Sequence, residues 1–299
     1  MSDDRRVRAT LIGFVAVLLW ALLALFTTWS RGIPPFQLLA MTFAVAALVG
    51  AGWLAATGQG LKPLRQPLAA WALSVGGLFG YHFFYFVALG NAPAVDASLI
   101  AYLWPLLIVV FSALLPGERL RWFHLAGGVM GLAGAALLVT RGGRSLGFDA
   151  AYSLGYLAAV ACALTWSAYS VANRRFGKVP TEAVTGFCTA VALLGLVSHL
   201  ALEETVAPTA GQWIAAGLLG LGPVGAAFFV WDHGTKHGNL QVLGASAYAA
   251  PLLSTLILVA VGEAEASWAV GLACLLIVGG AVLASRDLLF RRQPAPRRA

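Results

Sequence analysis

The sequence predicts an all-α membrane protein of ten transmembrane helices, arranged as two inverted five-helix repeats around a central cavity. Of its 299 residues, 60% are hydrophobic and 10% are charged, whereas soluble domains average about 45–50% and about 25%. The chain also contains ten apolar runs of about 20 residues, the length that crosses a bilayer as a helix. Finally, residues of the first half recur 146 positions later in the second half.

The ten apolar runs are separated by short connections that carry turn residues, such as the glycine and two prolines within 31–35. The boundary between the third and fourth runs is marked only by residues 90–93. No connection is long enough to form a separate soluble domain. The predicted spans are 10–29, 36–56, 68–89, 94–115, 122–140, 151–172, 183–202, 212–232, 241–261 and 268–287.

The distribution of basic residues predicts the orientation of the chain. Ten spans place both termini on the same side of the membrane. Sixteen of the 19 lysines and arginines lie on that side, and only Arg31, Arg141 and Arg144 lie on the other. Because basic loops are retained in the cytoplasm, we expect both termini there. The net charge of +7 then reflects membrane orientation, and we expect no nucleic-acid partner.

The internal repeat is clearest in the fourth and ninth runs. Residues 101–107 read Ala-Tyr-Leu-Trp-Pro-Leu-Leu and residues 247–253 read Ala-Tyr-Ala-Ala-Pro-Leu-Leu, so both Pro105 and Pro251 are repeated. A proline inside a helix removes a backbone donor and clashes with the carbonyl group four residues earlier. Matched helix breaks at mid-membrane in two halves predict a transport site between them. Two ordinary kinked helices are the alternative interpretation.

The same offset relates residues along the whole chain. Because each half contains an odd number of spans, the two halves must cross the membrane in opposite directions. We therefore predict repeats at 1–146 and 147–299 that form a single transport unit, with the site at their interface near the midplane. The matched pairs are Trp20 and Trp166, Pro34 and Pro180, Tyr102 and Tyr248, and Gly134 and Gly280.

In both halves a Gly-Glu dipeptide precedes a glycine-rich run, at Gly117-Glu118 and, slipped by one residue, at Gly262-Glu263. The glycines that follow are Gly127, Gly131 and Gly134 in the first half and Gly271, Gly279 and Gly280 in the second. With ten spans in two halves, this pattern resembles the EamA-type branch of the drug/metabolite transporter superfamily. The second copy departs from the usual pattern at Ala264 and Glu265, where a basic or polar residue is more typical.

The resemblance extends over residues 10 to 287, and it implies export of small organic molecules through a central cavity by alternating access. The aromatic third and fourth spans are similar, more narrowly, to bacterial inner-membrane exporters of aromatic amino acids. We therefore expect a bacterial inner-membrane exporter of aromatic or hydrophobic amino acids. A multidrug or other metabolite carrier of the same superfamily is the alternative.

Polar and aromatic residues in the middle of the spans are the candidate substrate-binding residues, because polar side chains at membrane depth usually face the bundle interior. Ser98, Tyr102 and Pro105 share one helix face, at spacings of four and three residues. Tryptophans that act only as interfacial anchors lie near span ends, as Trp53 and Trp268 do. For any single aromatic residue the alternative is a side chain that faces lipid. The full candidate set is Trp20, Tyr81, His82, Tyr85, Ser98, Tyr102, Trp104, Pro105, Trp166, Tyr248 and Pro251.

These side chains suit two kinds of substrate, namely flat apolar rings, which stack on aromatic residues, and organic cations, which bind over ring faces. We expect the tyrosine hydroxyls, His82 and the freed carbonyl groups of Ala101 and Ala247 to bind an amino or carboxylate group. No basic residue lies mid-span. The expected partners are aromatic or flat hydrophobic or cationic small molecules and the lipid bilayer. We expect no cofactor and no metal. We also expect the protein to be a monomer.

The sequence leaves the driving force open. His82 is the only histidine near a span centre, and it is interpreted either as a carrier of a coupling proton or as a neutral hydrogen-bonding residue. Asp96 begins the fourth span, and Asp232 ends the eighth, where we expect a solvated pair with Lys236. Without a buried acid, downhill facilitation or exchange is at least as well supported as proton antiport.

Other function classes find less support in the sequence. An intramembrane enzyme needs a nucleophile, paired acids or a metal set within its spans, and the sequence contains no His-Glu-x-x-His, Gly-x-Gly-Asp or Gly-x-Ser-x-Gly motif. A channel needs a selectivity element, such as a ring of carbonyls or charges built by symmetry. One chain with two inverted halves does not supply such a ring, so we expect a carrier and not an enzyme.

Overall fold

The computed structural model describes residues 3–140, 142–143, 149–262 and 267–286, and within these ranges it contains helices and no β-strand. Part of the predicted charge pattern and of the second Gly-Glu repeat therefore lies outside the described residues. These positions are Arg141, Arg144, Glu263, Ala264, Glu265, Arg291, Arg292, Arg297 and Arg298.

Among the described residues, nine helices are long and apolar enough to cross a membrane, and a tenth apolar helix of 17 residues follows them. Since roughly 17 residues is the lower limit for a span, the all-α fold with ten spans is confirmed. Numbered in chain order, spans 1–10 are Asp4–Trp29, Pro35–Ala56, Leu68–Asn91, Ala94–Ser112, Trp122–Val139, Ala150–Phe176, Thr181–Leu202, Ala210–His237, Leu240–Ala260 and Trp268–Ala284.

Spans 4 and 9 are interrupted where the repeated prolines predict a break. Span 4 consists of Ala94–Ala101 and Trp104–Ser112, and span 9 of Leu240–Ser246 and Ala249–Ala260. In span 4 the second helix begins at Trp104, so Pro105 lies in its first turn, where a backbone N–H has no intrahelical partner.

Two further interruptions were not predicted. Span 1 is broken between its helices Asp3–Trp20 and Leu23–Trp29. Span 8 contains a π-helical turn, Gly222–Ala226, between two α-helices. Both interruptions lie beside the cavity described below, as π-turns in functional helices often do.

The helices pack in a pseudo-two-fold arrangement. Spans 2 and 7, 4 and 9, and 5 and 10 pack against each other, so each pairs with its own repeat equivalent. Span 1 packs against span 8, and span 3 packs against span 6. Because span 1 is equivalent to span 6 and span 3 to span 8, the same two-fold relation converts one of these two contacts into the other. Spans 4 and 9 therefore meet at the axis, and their breaks face each other across the interface between the halves.

Glycines in spans 5 and 10 show this relation at atomic detail. A Cβ atom added to Gly127 would lie 2.4 Å from the carbonyl oxygen of Gly280, and one added to Gly134 would lie 3.1 Å from that of Ala273. Gly127 is the repeat equivalent of Ala273, and Gly134 is that of Gly280. The two contacts are therefore equivalent under the 146-residue repeat. The predicted glycine-rich helices thus pack with their backbones close together, as small residues permit in membranes.

The outer surface of the bundle is apolar, as contact with lipid requires. Leu48 and Leu275 are each 72% exposed. Trp53 and Trp268, which the sequence places near span ends, are 61% and 64% exposed. Their positions suit tryptophans that anchor helices at the membrane interface.

Candidate substrate-binding cavity

A cavity of about 170 Å³ lies between the two halves, lined by spans 1, 3 and 4 of the first half and spans 6, 8 and 9 of the second. An apolar cavity of about 150 Å³ accommodates benzene in another protein, so this volume suits an aromatic ring. Seven of the eleven candidate residues line it: Trp20, Tyr81, His82, Tyr102, Trp104, Trp166 and Pro251.

The other four candidates, Tyr85, Ser98, Pro105 and Tyr248, are not among the residues that line this cavity. Tyr85 lies behind Tyr81, with the two rings stacked at a centroid distance of 6.2 Å. The Tyr85 hydroxyl oxygen is 3.2 Å from the Oγ atom of Ser98, so these two side chains bond to each other instead of facing the cavity.

Pro105 and Tyr248 are enclosed in the contact between spans 4 and 9. A Cβ atom on Gly244 would lie 2.8 Å from the carbonyl oxygen of Pro105, so span 9 packs directly on this proline. The hydroxyl of the fully buried Tyr248 donates to the carbonyl of Tyr102 at 3.0 Å and accepts from the backbone N–H of Leu106 at 3.3 Å. Tyr248 therefore stabilises the break of span 4.

Four tryptophans form a cluster beside the cavity, with each ring in contact with the other three. The six centroid distances range from 5.0 to 6.3 Å. We call this group the tryptophan cluster; its members are Trp20, Trp104, Trp166 and Trp231. Trp20 and Trp166 are repeat equivalents, so the pseudo-two-fold axis passes close to this group.

Trp231 is the member of the tryptophan cluster that the sequence did not predict. It is fully buried, and its indole N–H donates to the Oγ atom of Ser170 at 3.1 Å. The predicted eighth span ended at residue 232, which placed Trp231 at the membrane surface. The helix continues to His237, and Trp231 consequently lies within the bundle.

A second aromatic group surrounds His82. Its ring contacts Phe43 at 5.4 Å and Phe228 at 6.2 Å, and Phe228 in turn contacts Trp166 at 5.8 Å. The Nδ1 atom of His82 is 2.7 Å from the carbonyl oxygen of Leu78. Because a carbonyl only accepts, Nδ1 carries the hydrogen and donates, which leaves Nε2 as the acceptor of the neutral imidazole.

Several lining residues were missed by the sequence reasoning, because only the relative rotation of the helices brings them to the cavity. Pro223 is held by the indole N–H of Trp20, which donates to its carbonyl oxygen at 3.0 Å. This bond connects the break of span 1 to the π-turn of span 8. The missed residues are Leu23, Ala24, Pro223, Val224, Phe228, Ala250 and Ser254.

Most polar side-chain atoms of the cavity belong to aromatic residues, and Ser254 adds an aliphatic hydroxyl. The hydroxyls of Tyr81 and Tyr102 and the indole N–H groups of Trp104 and Trp166 form no hydrogen bond within the described part of the chain, and so are available to a ligand. The carbonyl of Ala247, in contrast, accepts the N–H of Ala250 at 3.1 Å. This carbonyl group therefore already has one backbone partner, whereas the sequence predicted it without any.

A buried ion pair lies one turn beyond Trp231, where the sequence predicted a solvated one. Asp232 and Lys236 are 0% and 3% exposed, and Lys236 Nζ is 2.8 Å from Asp232 Oδ2. Asn173 and Thr181 donate to the same carboxylate at 3.0 and 2.9 Å, and Lys236 also donates to the carbonyl of Val179 at 3.0 Å. The prediction was wrong because span 8 extends to His237 and these residues pack against the ends of spans 6 and 7.

Polar contacts also join the two halves at the end of the bundle that carries the N-terminus. Arg6 donates to Glu118 at 2.6 Å, and Gln241 at the start of span 9 donates to the same carboxylate at 3.4 Å. The backbone N–H of Asn239 donates to Thr10 Oγ1 at 2.8 Å. These contacts hold spans 1 and 9 and the loop before span 5 together at this end.

Residues 7–140 and 153–286 each match the model of the EamA-like transporter family. The two matches are offset by 146 residues, the same spacing that relates the repeated prolines. Together they cover most of the chain.

The chain is 55% identical over 287 residues to the aromatic amino acid exporter YddG of Ancylobacter novellus, covering 96% of this chain and 99% of that one. It is 25% identical over 293 residues to the YddG exporter of Escherichia coli, covering 93% and 97%. A probable terminal-alkyne amino-acid exporter of Streptantibioticus cattleyicolor is 25% identical over 294 residues, covering 93% and 95%. A crystal structure 55% identical in sequence superposes with a TM-score of 0.90, covering 96% of this chain and all of the other.

Proposed function

This chain is a member of the EamA-like transporter family, and we propose that it exports aromatic and hydrophobic amino acids across the bacterial inner membrane by alternating access. The observation that carries the proposal is a cavity of about 170 Å³ between the two halves, in which seven of the 15 lining residues carry aromatic rings. The named activity of its relatives supports the same substrate class.

In this proposal, members of the tryptophan cluster bind the aromatic ring of the substrate. Trp20, Trp104 and Trp166 line the cavity and are fixed by their contacts with one another. Their rotamers are therefore ordered before the substrate binds, which lowers the entropy lost on binding. Each favourable ring–ring contact adds about 0.5–1.5 kcal/mol to the affinity.

The amino and carboxylate groups are bound by uncharged polar atoms. Nε2 of His82 and the hydroxyl oxygens of Tyr81 and Tyr102 accept hydrogen bonds from the ammonium group. The indole N–H groups of Trp104 and Trp166 donate to the carboxylate. Among the described residues, no aspartate, glutamate, lysine or arginine lines the cavity. The proposed site therefore suits a zwitterion better than an organic cation, and weak binding favours release.

Alternating access requires the contacts at the N-terminal end of the bundle to open. In the proposed cycle, the ion pair of Arg6 and Glu118 and the bond of Asn239 to Thr10 break when the cavity opens to that side. The basic residues support a cytoplasmic location for both termini. The proposed repeats, 1–146 and 147–299, both contribute to one cavity, so one chain is the proposed transport unit.

Equilibrium binding to the purified protein tests the proposed substrate class. We expect labelled phenylalanine to bind saturably and to be displaced by tryptophan and tyrosine, whereas alanine and serine compete poorly. Trp53→Ala, which alters an exposed tryptophan at a span end, is the matched control and leaves binding unchanged. Equal competition by alanine and phenylalanine would rule out recognition through the aromatic ring.

A further inference from the structure

A groove of about 370 Å³ opens on the outer surface of the bundle, between spans 2 and 8 and the start of span 7. It is separate from the central cavity, since no residue lines both. Span 2 packs against the first part of span 8, Ala210–Leu221, and against its π-turn, whereas the last part, Ala227–His237, packs mainly against span 1. Spans 2 and 8 therefore diverge beyond the π-turn. We call the space between them the lateral groove.

Small residues form the floor of the lateral groove, and exposed apolar residues form its rim. Ala46 and Gly225 are buried at the floor, whereas Val49 is 53% exposed. A Cβ atom added to Gly220 would lie 2.6 Å from the carbonyl oxygen of Thr42, so spans 2 and 8 are in contact at this end and close the groove there. The groove is thus a closed-ended apolar channel that is open toward lipid.

The lateral groove extends over one leaflet of the bilayer. Its closed end lies at the π-turn, beside Pro223 of the central cavity, and its other end reaches Glu182 at the start of span 7. From Gly220 to Val230 the helix advances by about 15 Å, at about 1.5 Å per residue. Half of a hydrocarbon core of about 30 Å is the same distance. The groove therefore has the depth of one acyl chain in the leaflet on the side of the termini.

Glu182 gives the open end of the lateral groove a negative charge. It lines the groove, and it forms no hydrogen bond or ion pair within the described part of the chain. A negative side chain is favourable in the first turn of a helix, but this position leaves the carboxylate oxygens available to a further partner. A cationic group at the membrane interface is the partner that fits.

Basic residues flank Glu182 on two neighbouring loops. The turn Lys62–Leu64, in the loop between spans 2 and 3, packs against the turn Thr181–Ala183, which carries Glu182. The loop between spans 6 and 7 leads directly into the same turn. A ligand that complements this end of the groove has an anionic group for the loops, an ammonium group for Glu182 and an apolar chain. The exposed basic residues of the two loops are Lys62, Arg65, Arg175 and Lys178.

We propose that the lateral groove binds phosphatidylethanolamine from the leaflet on the side of the termini. One acyl chain lies in the groove, the ammonium group donates hydrogen bonds to Glu182, and the phosphate accepts them from the basic side chains of the two loops. The quaternary ammonium of phosphatidylcholine has no N–H to donate, and phosphatidylglycerol has no ammonium group. Both of these lipids therefore bind more weakly at this site.

The lateral groove and the central cavity share the π-turn of span 8. Pro223 and Val224 line the cavity, and Gly225 and Ala226 line the groove. The bound acyl chain packs on this turn and fills the gap between spans 2 and 8. Because a ligand that binds only the folded state raises its stability, the lipid raises the unfolding temperature of the protein.

Native mass spectrometry of the delipidated protein tests the headgroup preference without any substrate. The protein is titrated with phosphatidylethanolamine, phosphatidylcholine or phosphatidylglycerol of identical acyl chains, and the affinity for the first bound lipid is measured. We expect phosphatidylethanolamine to bind about fivefold more tightly than the other two, which corresponds to a partly exposed ion pair of about 1 kcal/mol. Glu182→Gln should abolish this preference. Glu204→Gln, the same change at an exposed acid at the opposite end of the bundle, should retain it.

A variant that fills the lateral groove tests where the acyl chain lies. Ala226→Trp places a large ring beside the π-turn, and it should weaken phosphatidylethanolamine binding and abolish the rise in unfolding temperature that this lipid gives the parent. Leu48→Trp adds the same ring to an exposed residue of span 2 outside the groove, and it should retain both. If Ala226→Trp does not fold, Glu182→Gln decides, because Glu182 lies in a partly exposed turn.

Equal affinities of the parent for the three lipids would overturn the proposal, and so would a preference that is unchanged in Glu182→Gln. Undiminished phosphatidylethanolamine binding by a folded Ala226→Trp would place the acyl chain outside the groove and overturn it as well. A dimer of the delipidated parent that is lost in Ala226→Trp would instead assign the groove to a second copy of the chain.

Discussion

The hydroxyl of Tyr248 donates a hydrogen bond to the backbone carbonyl of Tyr102 at 3.0 Å, and the 146-residue repeat makes these two residues equivalent. The same hydroxyl accepts the N–H of Leu106 at 3.3 Å. In an unbroken helix this N–H would bond to the carbonyl of Tyr102 itself. One copy of the repeated tyrosine thus bridges the helix break of the other half, while Tyr102 lines the cavity.

Tyr248→Phe is expected to lower the stability of the protein. It leaves the carbonyl of Tyr102 and the N–H of Leu106 without the hydroxyl between them, and an unsatisfied buried polar group costs about 1–3 kcal/mol. Thermal unfolding in detergent measures the effect. The control is Tyr152→Phe, which removes a hydroxyl from a residue that is 40% exposed. Equal stability of the two variants would contradict this role of Tyr248.

Trp166→Ala is expected to weaken substrate binding. The ring of Trp166 contacts Tyr81, Phe228 and the other tryptophans of the cluster. Loss of one stacking contact of about 0.5–1.5 kcal/mol reduces the affinity by up to about tenfold. Trp166→Phe retains a ring and most of the affinity. Titration calorimetry with phenylalanine measures both variants, and an affinity of Trp166→Ala equal to the parent's would place the ring of the substrate elsewhere.

Removal of one partner of the buried ion pair is expected to destabilise the fold strongly. Lys236→Met leaves the Asp232 carboxylate buried beside an apolar side chain, and such a change costs roughly 3–5 kcal/mol. The double variant Asp232→Leu with Lys236→Met removes both charges and should recover much of the loss. Denaturation of the single and double variants gives the coupling energy. A double variant whose loss equals the sum of the two single losses would show that the pair contributes no interaction of its own.

Cysteine accessibility tests the proposed orientation. Glu204, between spans 7 and 8, and Lys62, between spans 2 and 3, are both exposed and lie at opposite ends of the bundle. An impermeant maleimide added to intact cells should label Glu204→Cys and not Lys62→Cys, with the parent protein as the baseline for its own cysteines. The reverse pattern would place the termini outside.

Local signals in the sequence predicted the breaks of spans 4 and 9, because a proline restricts its own helix whatever surrounds it. The break of span 1 at Ala21 and Leu22 has no such residue. The π-turn of span 8 includes Gly222 and Pro223, a turn signal that lay inside an apolar run and was not interpreted.

The site was predicted less completely than the fold, because it depends on which way each helix is rotated and how far it extends. The polar residues after Trp231 predicted the end of span 8, yet Asp232 is buried because side chains of other helices satisfy its carboxylate. Phe228 and Ser254 lie on spans 8 and 9. The sequence pattern of these spans does not show which residues face the cavity and which face a neighbouring helix. Tyr248 was assigned to the cavity by its similarity to Tyr102, although the two copies have different contacts.

Efflux from reconstituted vesicles tests the central claim, which is the export of aromatic amino acids through the cavity between the two halves. Vesicles containing the protein are loaded with labelled phenylalanine, tryptophan, alanine or serine, and the initial rates of efflux are compared with those of protein-free vesicles. We predict saturable efflux of phenylalanine and tryptophan, slower in Trp166→Ala and unchanged in Trp53→Ala. Efflux of alanine and serine as fast as that of phenylalanine, with no effect of Trp166→Ala, would contradict the account.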